Sequence, residues 1–120
     1  MATTHTIERN TLTARTLIGN SVKNDRKEDL GTIEDFMLDL RTGRVAYAVL
    51  SFGGFLGMGD KLFAVPWSAM TLDLNDHVFI LNVPKERLKQ APGFDKDAWP
   101  DIADMRWQQE VLGFYNVTPY

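Results

Sequence analysis

Apolar positions between residues 12 and 83 come in short runs broken by turn residues, a texture that predicts strands rather than helices. Residues 17–22 predict a first strand, and the polar stretch 23–29 a solvated turn. A second strand is expected over residues 30–38. Its alternation puts Ile33 on one face and Phe36 and Leu38 on the other, which a bulge near Glu34 and Asp35 would reconcile. Residues 39–44 predict a hairpin in which Gly43 supplies a positive φ. Residues 45–50 are apolar at every position, so this strand belongs in the sheet interior, covered on both faces.

The glycine-rich segment 53–59 follows, expected at the surface. Phe52, Phe55, Leu56 and Met58 give it an apolar character that either folds back over a barrel end or meets a partner. Residues 61–65 resume the sheet and Pro66 ends it, since proline cannot donate to a ladder. A short turn at residues 67–70 leads into a closing hairpin of residues 71–73 and 77–81. The count is five or six short strands, which fits a small antiparallel barrel or sandwich.

Beyond residue 83 the period changes. Pro84 at an N1 position predicts a two-turn helix over residues 85–91, stopped by Pro92 and Gly93. A second helix is expected from Pro100 to about Phe114. Met105, Trp107, Val111, Leu112, Phe114 and Tyr115 fall within half a turn of its wheel, interrupted by Asp104 and Gln108. Such a face must lie on the barrel or on a partner. The expected organisation is a flexible lead-in at residues 1–10, a barrel domain at 11–91 and a C-terminal extension at 92–120.

Composition narrows the function classes. The chain has 120 residues, 13 basic and 16 acidic, for a net charge of −3, and no cysteine. Without cysteine there is no disulfide framework, thiolate zinc site or cysteine nucleophile. No apolar run approaches the roughly 20 residues of a membrane-spanning helix, and no signal-peptide core follows Met1, so a soluble cytoplasmic protein without a transmembrane segment is expected. Mild acidity argues against a nucleic-acid binder. The basic residues Lys23, Arg26, Lys27, Lys85, Arg87 and Lys89 stand among acids and make no sustained positive field.

Candidate chemistry is thin. Gly54 and Gly59 have the spacing of a phosphate-binding loop, but Asp60 precedes Lys61, Leu62 replaces the hydroxyl residue, and a strand follows instead of a helix. His5 lies in the lead-in and His77 in a turn, which supplies no nucleophilic triad. Asp35 with Asp39, or Asp73 with Asp76, lack the pattern of a calcium loop. Glu34 and Asp35 sit where solvated acids are expected rather than a catalytic pair. No catalytic residue, cofactor site or metal site is therefore expected. Trp67 is expected to plug a barrel mouth. Large apolar groups remain as the candidate interaction surface: Phe52, Phe55, Leu56, Met58, Trp99, Trp107 and Phe114.

The run from Asp39 through Leu40, Arg41, Thr42, Gly43 and Arg44 into an all-apolar strand resembles the PRC-barrel family. So does the stretch from Gly53 through Gly59, Asp60 and Lys61 to Pro66 and Trp67. The family includes the cytoplasmic domain of the photosynthetic reaction centre H subunit and the C-terminal domain of the ribosome maturation factor, and the chain looks most like its stand-alone bacterial members. The resemblance implies a mainly β fold, a small barrel of about six short, mostly antiparallel strands, here with a helical C-terminal extension. The expected function is a non-enzymatic protein–protein interaction or scaffold module acting as a homodimer with an unidentified protein partner. A ribosome-associated or RNA-processing adaptor, a peripheral accessory of a membrane complex and a small-ligand binder are the alternatives.

Overall fold

The computed structural model describes residues 12–52, 61–101 and 103–117. Seven strands form one sheet, β1 (Ser21–Lys23), β2 (Asp29–Asp39), β3 (Arg44–Phe52), β4 (Lys61–Pro66), β5 (Met70–Asp73), β6 (Val78–Leu81) and β7 (Gly93–Asp95), in the order β5-β6-β1-β2-β3-β4-β7. Every neighbouring pair is antiparallel except β1 with β6. The two end strands do not pair with each other among the described residues, so the sheet is not closed. Three α-helices, α1 (Ala14–Leu17), α2 (Lys85–Leu88) and α3 (Met105–Tyr115), and a 3-10 turn at Trp67–Ala69 complete the described elements. The fold is mainly β with a C-terminal helix, as expected, with seven strands where about six were counted.

The long strands follow the apolar pattern closely. In β2, Ile33 faces Leu50 while Asp35 faces Val49, so Glu34 is the extra residue of the expected bulge. A second irregularity follows, with Met37 opposite Tyr47 and Leu38 opposite Val45. Gly43 closes the β2–β3 hairpin with φ 75°. β3 is buried from Ala46 through Phe52, flanked by β2 and β4, the interior position its unbroken apolar run required. The core around it includes Val22, Leu30, Ile33, Phe63, Val65, Phe79, Leu81, Leu88 and Val111.

Four local expectations are corrected. Residues 17–22 are not one strand: Thr13 caps the short helix α1, its hydroxyl accepting from the Thr16 N–H, and only Ser21 and Val22 of that run belong to a strand. The stretch 23–29 is not wholly solvated, because the Asn24 side chain is buried within the turn. Pro84 is the residue before α2 with extended ψ 144°, and α2 is a single turn rather than two. α3 starts at Met105, not near Pro100, because the Asp104 carboxylate accepts from the Arg106 and Trp107 N–H groups. It ends at Tyr115, where Asn116 takes a left-handed conformation at φ 58°.

α3 packs on β4 and sets Trp107 edge-on to Tyr47 of β3, with ring centroids 5.2 Å apart. The helix covers this chain's own sheet with Val111, Leu112 and Tyr115, while Met105 at its first turn stays exposed.

Candidate interaction surface

The β2–β3 turn is built without help from Leu40. Asp39 Oδ1 accepts the Arg41 N–H at 2.9 Å, the Asp39 carbonyl accepts the Gly43 N–H at 2.8 Å, and Thr42 Oγ1 accepts the Arg44 N–H at 3.2 Å. The Arg41 guanidinium reaches the same carboxylate at 3.4 Å. With the turn held by backbone and Asp39, the Leu40 side chain projects 89% exposed, and Leu38 behind it is 50% exposed.

Phe36, two residues before Leu38 on the same strand, is half-buried, and its ring meets Trp67 edge-on at 6.0 Å. Trp67 opens a 3-10 turn (Trp67–Ala69), contacts Phe79 at 6.0 Å in the same manner, and remains 38% exposed. It therefore joins the core at its edge without being enclosed. Leu38 and Leu40 are thus exposed apolar side chains, whereas Phe36 and Trp67 pack at the edge of the core and remain partly exposed.

The residues singled out from sequence are dispersed. Phe52 is 5% exposed, tilted against Phe63 at 6.0 Å with the Lys85 ammonium 6.0 Å from its ring centre, so it belongs to the core. Phe55, Leu56 and Met58 lie outside the described residues. Trp99 is 44% exposed with its ring 5.1 Å from Phe94 of β7. Trp107 is half-buried on Tyr47. Phe114 is half-buried beneath the Arg87 guanidinium at 4.5 Å, and Arg87 Nη2 donates to the Phe114 carbonyl at 3.1 Å. That last pair ties α2 to α3. Leu38 and Leu40 were missed; the available signal was a leucine inside an otherwise polar turn sequence.

Several carboxylates serve the backbone of turns and caps, among them Asp29, Asp39, Asp73, Asp101 and Asp104. Asp73 Oδ1 accepts the Asn75 and Asp76 N–H groups at 2.9 and 3.3 Å, a turn-forming role. No cluster of three or more histidine, cysteine or acidic residues suited to a metal ion occurs among the described residues. Burial pushes the Tyr115 hydroxyl well above the ordinary tyrosine range. No described helix is long and apolar enough to cross a membrane.

These features define a small module of one open seven-stranded sheet, partly covered by its own C-terminal helix, with exposed apolar side chains at Leu38 and Leu40. The PRC-barrel domain profile matches residues 9–88, and the chain belongs to that family. Among solved structures it is similar to RimM of Pseudomonas aeruginosa, described as a 16S ribosomal RNA processing protein, at 16% identity and a TM-score of 0.44. That similarity covers 68% of this chain and 49% of the other, so the chain spans about half the length of that structure. No curated protein matches the chain.

Proposed function

We propose that this PRC-barrel protein is a non-enzymatic interaction module that works through protein–protein contact and pairs with a second copy of itself. The observation that supports this reading is the exposure of Leu38 and Leu40 at the β2–β3 turn, whose hydrogen bonds do not involve the leucine side chains, together with the partly exposed ring of Trp67. Large apolar side chains left exposed on a small domain are candidate contact sites. On this reading, residues 11–91 are the interaction-bearing barrel and residues 92–120 an extension that completes its cover.

The test is affinity capture with wild-type protein beside a Leu38→Asp, Leu40→Asp double variant, both checked for the same melting midpoint. The reading expects a stoichiometric partner that the variant loses. Identical captured sets from both proteins would overturn the assignment of this surface.

A further inference from the structure

β3 and α3 are held in different ways. β3 is buried from Ala46 through Phe52 and paired on both sides, with β2 and with β4. α3 rests on β4 through side chains. Val111, Leu112 and Tyr115 are buried, Trp107 is half-buried on Tyr47, and Phe114 is half-buried beneath Arg87. The residues that lead to it, 96–104, bond locally. The Ala98 N–H donates to the Asp95 carbonyl at 2.9 Å, the Ala103 N–H to Asp101 Oδ1 at 2.9 Å, and the Asp104 N–H to the Asp101 carbonyl at 3.0 Å. All three bonds survive if α3 lifts away.

Two features set the balance at the seat of α3. The Tyr115 hydroxyl is buried with no hydrogen-bond partner among the described residues, and lifting the helix returns it to water. Against this, Arg87 Nη2 donates to the Phe114 carbonyl at 3.1 Å while the guanidinium lies 4.5 Å over the Phe114 ring. The last turn of α3 has no basic residue of its own, so α2 supplies the cation that its carbonyls favour.

We infer that α3 is a releasable strap. It opens as a unit about residues 96–104 with the sheet intact and Arg87 as its latch, and so gates access to Tyr47 and the β4 face beneath it. The inference goes beyond the interaction reading and does not depend on the Leu38 and Leu40 surface.

The chain has no cysteine, so single engineered thiols report opening cleanly. Val111 of α3 and Val49 of β3 are both fully buried. Val111→Cys and Val49→Cys are compared for iodoacetamide labelling in the native full chain, each checked by thermal melt. The Val111→Cys thiol should label at least about thirtyfold faster. Gly43→Ala, in the β2–β3 turn, weakens the part that stays folded when the strap opens. It should speed labelling of Val49→Cys about fivefold and leave that of Val111→Cys unchanged. Arg87→Ala should speed labelling of Val111→Cys about fivefold. Equal rates for the two thiols, or Gly43→Ala speeding both alike, would make the fold one cooperative unit and overturn the strap. Labelling of Val111→Cys that Arg87→Ala leaves unchanged overturns the latch.

Discussion

Asn24 Nδ2 donates to Glu28 Oε1 at 2.7 Å and to the Val83 carbonyl at 3.2 Å, so one buried side chain ties the β1–β2 turn to the segment after β6. Its Oδ1 accepts the Arg26 and Glu28 N–H groups at 3.0 and 2.9 Å, while Glu28 Oε1 also accepts the Lys85 N–H. Removing the amide strands three of these partners in a turn that is closed to solvent at Asn24. Asn24→Ala should cost about 2 kcal/mol, roughly 8 °C in a thermal melt.

The same contact sets an acid limit. The Asn24 amide, then the Lys85 N–H and the charges of Arg26 and Lys85, hold the Glu28 carboxyl below its ordinary 4.5, against a smaller opposing effect of burial. A depressed folded-state pKa contributes stability above the unfolded value, and this is lost as pH falls through the folded one. Denaturant midpoints measured from pH 6 down to pH 2.5 should therefore fall more steeply below pH 4.5 for wild type than for Glu28→Gln.

Gly31 and Gly43 separate crowding from backbone preference. Both have positive φ, 126° and 75°. A Cβ on Gly31 would overlap the Ser51 carbonyl oxygen of β3, whereas one on Gly43 meets nothing within 4 Å. Gly43→Ala should cost about 1 kcal/mol from strain alone, and Gly31→Ala about 3 kcal/mol or more. Urea unfolding of the pair checks the ordering.

Tyr115 gives a prediction in the alkaline direction. Its hydroxyl is buried with no hydrogen-bond partner among the described residues, and burial disfavours the tyrosinate. Folded-state pKa lies above unfolded, so stability is intact below pH 10 and declines above it. Tyr115→Phe should gain up to about 1 kcal/mol at pH 7 and show a shallower loss between pH 10 and 11.

Trp107 measures how firmly α3 is seated. Its ring is half-buried against Tyr47, so Trp107→Ala should cost about 2 kcal/mol, below the range of a fully enclosed tryptophan. Near-ultraviolet circular dichroism should report Tyr47 losing its fixed neighbour.

The central strands were legible because their periodicity is strong. The bulge at Glu34 followed from two apolar sets on opposite faces of one strand, and the position of β3 from its lack of alternation. β7 was missed because three residues with one buried side chain, Phe94, carry no period. α1 was missed because Leu17, buried in the helix, reads equally as the start of the apolar run that β1 continues. Asn24 looked like an ordinary turn residue, since burial of a side chain amid charged neighbours depends on a segment nearly sixty positions away. On the surface, the exposure of Leu38 depends on the irregular register beside Met37, which composition does not encode.

The pairing of β4 with β7 carries a lesson about inheritance. Leu62 sits opposite Phe94, and α3 lies over β4, so residues past 88 supply both the last strand and part of the lid. The stretch that defines kinship ends before the stretch that finishes the sheet. Chimeras spliced at the family boundary would thus exchange a structural strand, and a tail transplanted from a relative must match the outer edge of β4 rather than merely follow it.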